Sequence, residues 1–147
     1  SLGTMGFGLP AAIGAALANP QKRVVCFSGD GSIMMNIQEL ATLAELNLNV
    51  TVILFQNGTL GMVRQQQKYL FDRNFSASEF GAKPDFSAIA QGFGIRTANA
   101  DEDSQWYRNA FSAADGKNPC FVVVKTDPEE DVLPFVKPGH PNIESWN

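Results

Sequence analysis

Histidine occurs once and cysteine twice in these 147 residues, and that scarcity removes several kinds of chemistry at the outset. Cys26 and Cys120 each sit in a run of β-branched or aromatic residues, so they read as buried thiols on strands and not as a disulfide or a metal pair. His140 lies in a proline-rich stretch near the end and reads as an incidental surface residue. Basic residues are few and scattered: 11 Lys and Arg stand against 15 Asp and Glu, for a net charge of −4 and a pI near 4.9. Neither a nucleic acid nor an anionic membrane surface is expected as a partner. No apolar stretch approaches the roughly 18 residues of a membrane span, and the Gly-rich start lacks the charged leader of a signal peptide, so a cytoplasmic protein is expected. Internal repeats and low-complexity segments are also missing.

What is present suits one compact domain, with 44% hydrophobic and 18% charged residues. Short apolar runs alternate with stretches of helical period, the pattern of an α/β fold: an open parallel sheet with helices on both faces. The periodicity predicts a helix over Phe7–Ala18, a strand at Val24–Phe27, a helix over Ile33–Leu46 and a strand at Val50–Phe55. A short helix from Leu60 to about Tyr69 follows, then a loop rich in Ser and Phe and a helix near Asp85–Gln91. The strand Ile95–Thr97, the helix Ser104–Ala114 and the strand Phe121–Lys125 complete the domain, set at residues 1–126. Residues 127–147 hold four prolines and almost no helical period, and are expected to form an extended tail over the domain or awaiting a partner. A functional-looking motif in the first residues, with no strand before it, suggests a piece of something longer.

The chemistry concentrates at Cys26-Phe27-Ser28-Gly29-Asp30-Gly31-Ser32, where a strand turns through glycines into a helix. Such a turn suits a phosphate, because free backbone N–H groups face the ligand. A bare carboxylate there would repel it by roughly 4 kcal/mol at about 4 Å and an effective dielectric near 20, so Asp30 makes sense mainly with a divalent cation in between. The alternative is that Asp30 merely caps the helix. A dinucleotide fold fits poorly, since the third glycine of G-x-G-x-x-G is missing, and no Gly-Lys-Ser/Thr supports a P-loop.

One helix and one strand later comes Gln56-Asn57-Gly58, a turn signal where the second strand must end. A right-handed crossover brings Asp30 and Asn57 to the same carboxyl edge of the sheet, and neighbouring strands ~4.8 Å apart would let their oxygens share one ion. An acid, an amide oxygen and the carbonyl of Thr59 form a hard oxygen set suited to Mg²⁺.

The glycine–acid–glycine run followed by Gln56-Asn57 resembles the signature of thiamine diphosphate-dependent enzymes. Within that superfamily, Leu2-Gly3-Thr4-Met5-Gly6-Phe7-Gly8-Leu9-Pro10-Ala11-Ala12-Ile13-Gly14-Ala15 and Gly61-Met62-Val63-Arg64-Gln65-Gln66-Gln67 are similar to the large catalytic subunit of acetolactate synthase, over nearly the whole chain. The resemblance implies that Asp30, Asn57 and Thr59 hold the metal and that Gly29, Gly31 and Ser32 line the diphosphate. Gly3 and Met5 would cradle the aminopyrimidine, with Met5 as a wedge that bends the cofactor, and Gly61 and Met62 would add cofactor contacts. Met62, Val63 and Gln66 would face substrate. On periodicity alone, Met62 and Val63 read as core and Arg64 through Gln67 as a solvated face.

The resemblance further implies decarboxylation of pyruvate with thiamine as electron sink, then condensation with a second 2-keto acid in branched-chain amino-acid synthesis. It also implies a homodimer or tetramer with the active site at a subunit interface, and a possible regulatory subunit. FAD stays open as a cofactor of the full-length protein. No catalytic residue is expected in this chain, because the family's glutamate comes from an N-terminal domain of the neighbouring subunit. Gln56 departs from the family's paired asparagine, and Gln66 stands where many members carry Trp, which leaves the acceptor keto acid open. Another decarboxylase, acetyltransferase or pyruvate oxidase of the superfamily, or a module that has lost its chemistry, is the alternative.

Overall fold

The computed structural model describes residues 3–111 and 118–145. Helix α1 (Gly8–Ala18) is rich in alanine and buries Leu9, Ala12, Ile13 and Ala16, a single stripe at helical spacing. It ends at Asn19, the residue before Pro20, where the proline ring disfavours helical backbone. Strand β1 (Val24–Gly29) leads into the single turn α2 (Asp30–Ile33), followed by α3 (Glu39–Glu45) and strand β2 (Val50–Gln56). Then come α4 (Gly61–Leu70), α5 (Phe86–Gly92), β3 (Arg96–Asn99), α6 (Trp106–Phe111), β4 (Cys120–Lys125) and a 3-10 turn at Asn142–Glu144.

The four strands run parallel in the order β1-β2-β4-β3. β2 lies inside the sheet, and Val50 to Leu54 are all buried, which is why its sequence runs apolar without alternation. On one face Val52, Leu54, Phe121 and Val123 pack with α1, α3 and α5 in the main core. On the other, Ile53, Cys120 and Val122 pack under Trp106 and Ala110 of α6. Beyond α6 this second face is open: Val25, Phe27 and Phe55 are exposed, and the two phenylalanine rings stack at 6.1 Å. Cys26 and Cys120 are buried on β1 and β4 and form no disulfide, and burial pushes the Cys26 thiol up from its ordinary pKa.

One predicted element is corrected. The helix expected over Ile33–Leu46 is two pieces, because residues 34–38 tighten into turns. Met35 N–H and Asn36 N–H donate to the carbonyls three residues back, and the Asn36 side chain turns away to donate to the Gly6 carbonyl at 2.8 Å. A polar side chain that finds a partner outside the helix competes with helical continuation. Several other bounds shift by one or two residues. The predicted helix Ser104–Ala114 is seen as Trp106–Phe111; its last residues, together with Leu2 of the N-terminal motif and residues 146–147 of the tail, lie outside the described residues.

Candidate functional site

Parallel strands put all four carboxyl ends on one edge, where Asp30, Asn57, Asn99 and Lys125 line a cavity of about 500 Å³. β1 and β2 are direct neighbours, with Gly29 opposite Phe55, so Asp30 and the Gln56–Thr59 turn emerge side by side. Asp30 is buried as the first residue of α2. Its Oδ1 accepts the Gly31 N–H at 2.8 Å and its Oδ2 accepts the Gly58 N–H at 2.7 Å. Each carboxylate oxygen keeps a further lone pair.

The turn itself is held from both sides. Asn57 Oδ1 accepts the Thr59 N–H at 2.9 Å. Leu60 N–H donates to Ser78 and Phe80 N–H to Gly58, pairing Thr59 with Glu79 in a short antiparallel bridge. Thr59 Oγ1 is buried without a hydrogen-bond partner among the described residues. Gly61, the first residue of α4, sits so close that a Cβ there would come within 3.0 Å of Asn57 Nδ2.

Among the described residues no three His, Cys, Asp or Glu come together as a metal cluster. The available donors are instead one carboxylate, one side-chain amide and the backbone of a tight turn, all oxygen, which is the chemistry that suits Mg²⁺ with room left for water and phosphate. An unpartnered buried hydroxyl beside them fits a site that awaits a ligand. The residues present therefore fit the metal.

Gly31 closes the cradle. A Cβ at this position would lie 2.6 Å from Leu60 Cδ2, 3.2 Å from Phe80 Cζ and 3.3 Å from Met5 Cε, so three side-chain tips converge on it. Met5 thus reaches the Asp30 turn from the N-terminal loop. That loop is pinned by Ser32, whose Oγ accepts the Gly6 N–H at 3.0 Å, and by Asn36. Ser32 keeps its own hydroxyl proton to donate. Because α2 is a single turn, the dipole of the helix expected after Gly29 is small, and an anion placed here would be met by local N–H groups and hydroxyls instead.

Two expectations for α4 are corrected. Met62 and Val63 are not core: they are 49% and 43% exposed, and Gln66 is exposed beside them on the same face. Arg64 and Gln65 are not a solvated face: they are buried at 7% and 3% exposure, covered by the segment after β4. Gly3, half of the predicted aminopyrimidine cradle, is exposed in the N-terminal loop. Asn36 and Leu60 were missed by sequence reasoning; the signal for Asn36 was a lone amide interrupting a helical period.

Residues 1–124 match the family described as thiamine pyrophosphate enzyme, C-terminal TPP binding domain. The chain belongs to this family. The thiamine pyrophosphate-binding domain is 48% identical over 143 residues to the acetolactate synthase isozyme 1 large subunit of Escherichia coli (strain K12), covering 97% of this chain and 25% of that protein. It is 41% identical over 144 residues to an acetolactate synthase of Arthrospira platensis, covering 97% and 25%. The isozyme 2 large subunit of Escherichia coli (strain K12) is 43% identical over 143 residues, covering 97% and 26%. The chain spans about a quarter of the length of these relatives. No described helix is long and apolar enough to cross a membrane.

Proposed function

We propose that this domain supplies the diphosphate and Mg²⁺ half of the active site of a thiamine diphosphate-dependent acetolactate synthase. The observation that carries the reading is the meeting of Asp30 with the Asn57–Thr59 turn at the carboxyl edge of β1 and β2, where one Asp30 oxygen is 2.7 Å from the Gly58 amide nitrogen. Asp30, Asn57 and the Thr59 carbonyl would hold the ion, and Gly29, Gly31 and Ser32 would line the diphosphate. Gly3, Met5 and Gly61 would contact the rest of the cofactor, with the Met5 side chain as its support. Thiamine diphosphate, when bound, supplies the electron sink for loss of carbon dioxide from a 2-keto acid.

The chain's own residues orient and shield. Met62 and Val63 offer an apolar wall at the start of α4, and Gln66 one turn further on offers an amide to the substrate side; Met62 also touches the cofactor in this reading. Their exposure supports it, since an uncovered apolar face beside a cofactor turn suits a substrate or a second subunit. Pyruvate and a second 2-keto acid are the proposed substrates. The assembly is a homodimer or tetramer whose partner subunit brings the catalytic glutamate, with a regulatory subunit as a further partner.

A product assay on the full-length protein tests the reading. Acetolactate formed from pyruvate in the presence of thiamine diphosphate and Mg²⁺ supports it, whereas acetaldehyde or acetyl phosphate would assign another enzyme of the superfamily. This domain alone is expected to bind the cofactor weakly and to turn over nothing. Submicromolar binding by the isolated domain in isothermal titration would contradict a half-site.

A further inference from the structure

The segment after β4 lies along α4 on the side away from Met62, Val63 and Gln66. Gln65 holds it by two bonds, donating from Nε2 to the Val132 carbonyl and accepting the Val132 N–H at Oε1, each at 3.0 Å. Lys68 Nζ and the Tyr69 hydroxyl both donate to Asp131 Oδ2 at 2.6 Å, and the Phe135 ring stacks on Tyr69. Arg64 joins more than this one segment. Its Nε donates to Glu79 Oε1 at 3.0 Å, its Nη1 to the Pro128 carbonyl at 3.2 Å and its Nη2 to Glu129, while the guanidinium lies 4.3 Å from the Phe75 ring centre. Glu79 is the residue bridged to Thr59. One side chain therefore ties together α4, the strand-like segment braced on the metal turn, and the segment after β4.

Arg64 is covered while Glu79 and Glu129 stay about half exposed, and such an ion pair is weak evidence for stability, because apolar packing of similar volume is often as good. What an ionic fork adds is geometry: its donors lie in one plane and accept only one arrangement of several partners. Here the partners come from two loops: α4 also holds one through Gln67, bonded to Ser76 and Ser78, and the other through Gln65, Lys68 and Tyr69, while Arg64 bonds both. Rotation of α4 about its axis would break all three bonds at once. The same rotation would carry Met62, Val63 and Gln66 out of place.

We infer that Arg64 is a positioning residue: by fixing the rotation of α4 between Glu79 and Glu129 it holds the Met62, Val63 and Gln66 face toward the 2-keto acid. This rests on the acetolactate synthase reading, in which that face meets substrate. Arg64 itself touches neither cofactor nor substrate. Its loss should weaken use of the keto acid more than binding of thiamine diphosphate, because Met62 is one of several proposed cofactor contacts and the Gly58–Leu60 turn keeps its backbone bonds to Ser78 and Phe80.

The test uses the full-length enzyme with thiamine diphosphate and Mg²⁺. Arg64→Ala should raise KM for pyruvate at least tenfold while changing the cofactor Kd less than threefold. Arg64→Lys should recover part of the loss, since an ammonium can satisfy one carboxylate but not the planar fork. Glu129→Gln, on the partly exposed partner, should move KM in the same direction by a smaller factor, and it serves if Arg64→Ala fails to fold. Unchanged KM in Arg64→Ala or Glu129→Gln, with normal wild-type turnover, would overturn this inference alone. Equal losses in KM, cofactor affinity and melting temperature would also overturn it, by assigning Arg64 a structural role only. A wild-type enzyme that converts no 2-keto acid would overturn the functional reading, and this inference with it.

Discussion

The Asp30 carboxylate accepts the backbone N–H of Gly58, 28 residues further along the chain, at 2.7 Å. A single acid thus fixes the mouth of β1 to the turn after β2, and in the proposed function the same carboxylate would hold the metal ion. Asp30→Asn keeps the shape, removes the charge and sets an amide NH₂ against an N–H. Hydrogen bonds to charged groups contribute about 1.5–3 kcal/mol, so the cost in stability should fall in that range. In the full-length protein, thiamine diphosphate affinity at fixed Mg²⁺ should drop at least tenfold; titration with unchanged affinity would contradict the metal assignment.

Gly31→Ala separates packing from binding. The added methyl meets only the tips of Leu60, Phe80 and Met5, which can each give way, so the loss of stability should stay near the ~1–3 kcal/mol typical of overpacking. Those tips surround the cofactor turn. Denaturant unfolding should therefore show a modest shift, while cofactor binding falls by an order of magnitude or more.

Asn36→Ala reaches the site without touching it. The side chain anchors Gly6, and with it the loop that carries Gly3 and Met5. Loss of one such bond costs about 1 kcal/mol. A several-fold weaker cofactor affinity and faster proteolytic cleavage near Met5 are expected, and cleavage at the wild-type rate would show that Ser32 alone holds the loop.

The ionic contacts of residues 128–132 with α4 set a pH window. The hydrogen bond from Arg64 holds the Glu129 carboxyl below its ordinary pKa. Burial pushes Asp131 upward, but hydrogen bonds from Lys68 and Tyr69 outweigh it and hold this carboxyl down as well. The hydrogen bond to Asp131 raises both Lys68 and Tyr69. Lowered carboxylates stabilise the folded arrangement above their unfolded pKa and lose that contribution as pH falls through the folded one; raised Lys and Tyr lose theirs as pH rises through the folded value. Protection of residues 128–135 from proteolysis should accordingly be level from about pH 5 to 9 and decline progressively beyond either end. A break near neutral pH would assign the contact to other groups.

The sequence by itself determined the α/β class, the two strands that end at Asp30 and Asn57, and the thiamine diphosphate superfamily. The first two rest on local chemistry, apolar runs and glycine turns; the superfamily rests on the resemblance of the Gly29-Asp30-Gly31 and Gln56-Asn57 motifs to a known family. Periodicity could not show that the helix after Asp30 breaks at Asn36, because the competing partner, the Gly6 carbonyl, lies 30 residues away in sequence. Nor could it show which side of α4 is covered. Arg64 and Gln65 look solvated until Glu129 and Val132 arrive from the far end of the chain, and Met62 and Val63 look buried until that same segment docks on the opposite side. Spacing along a chain fixes which residues share a face, whereas the partner that buries the face is chosen only when distant segments meet.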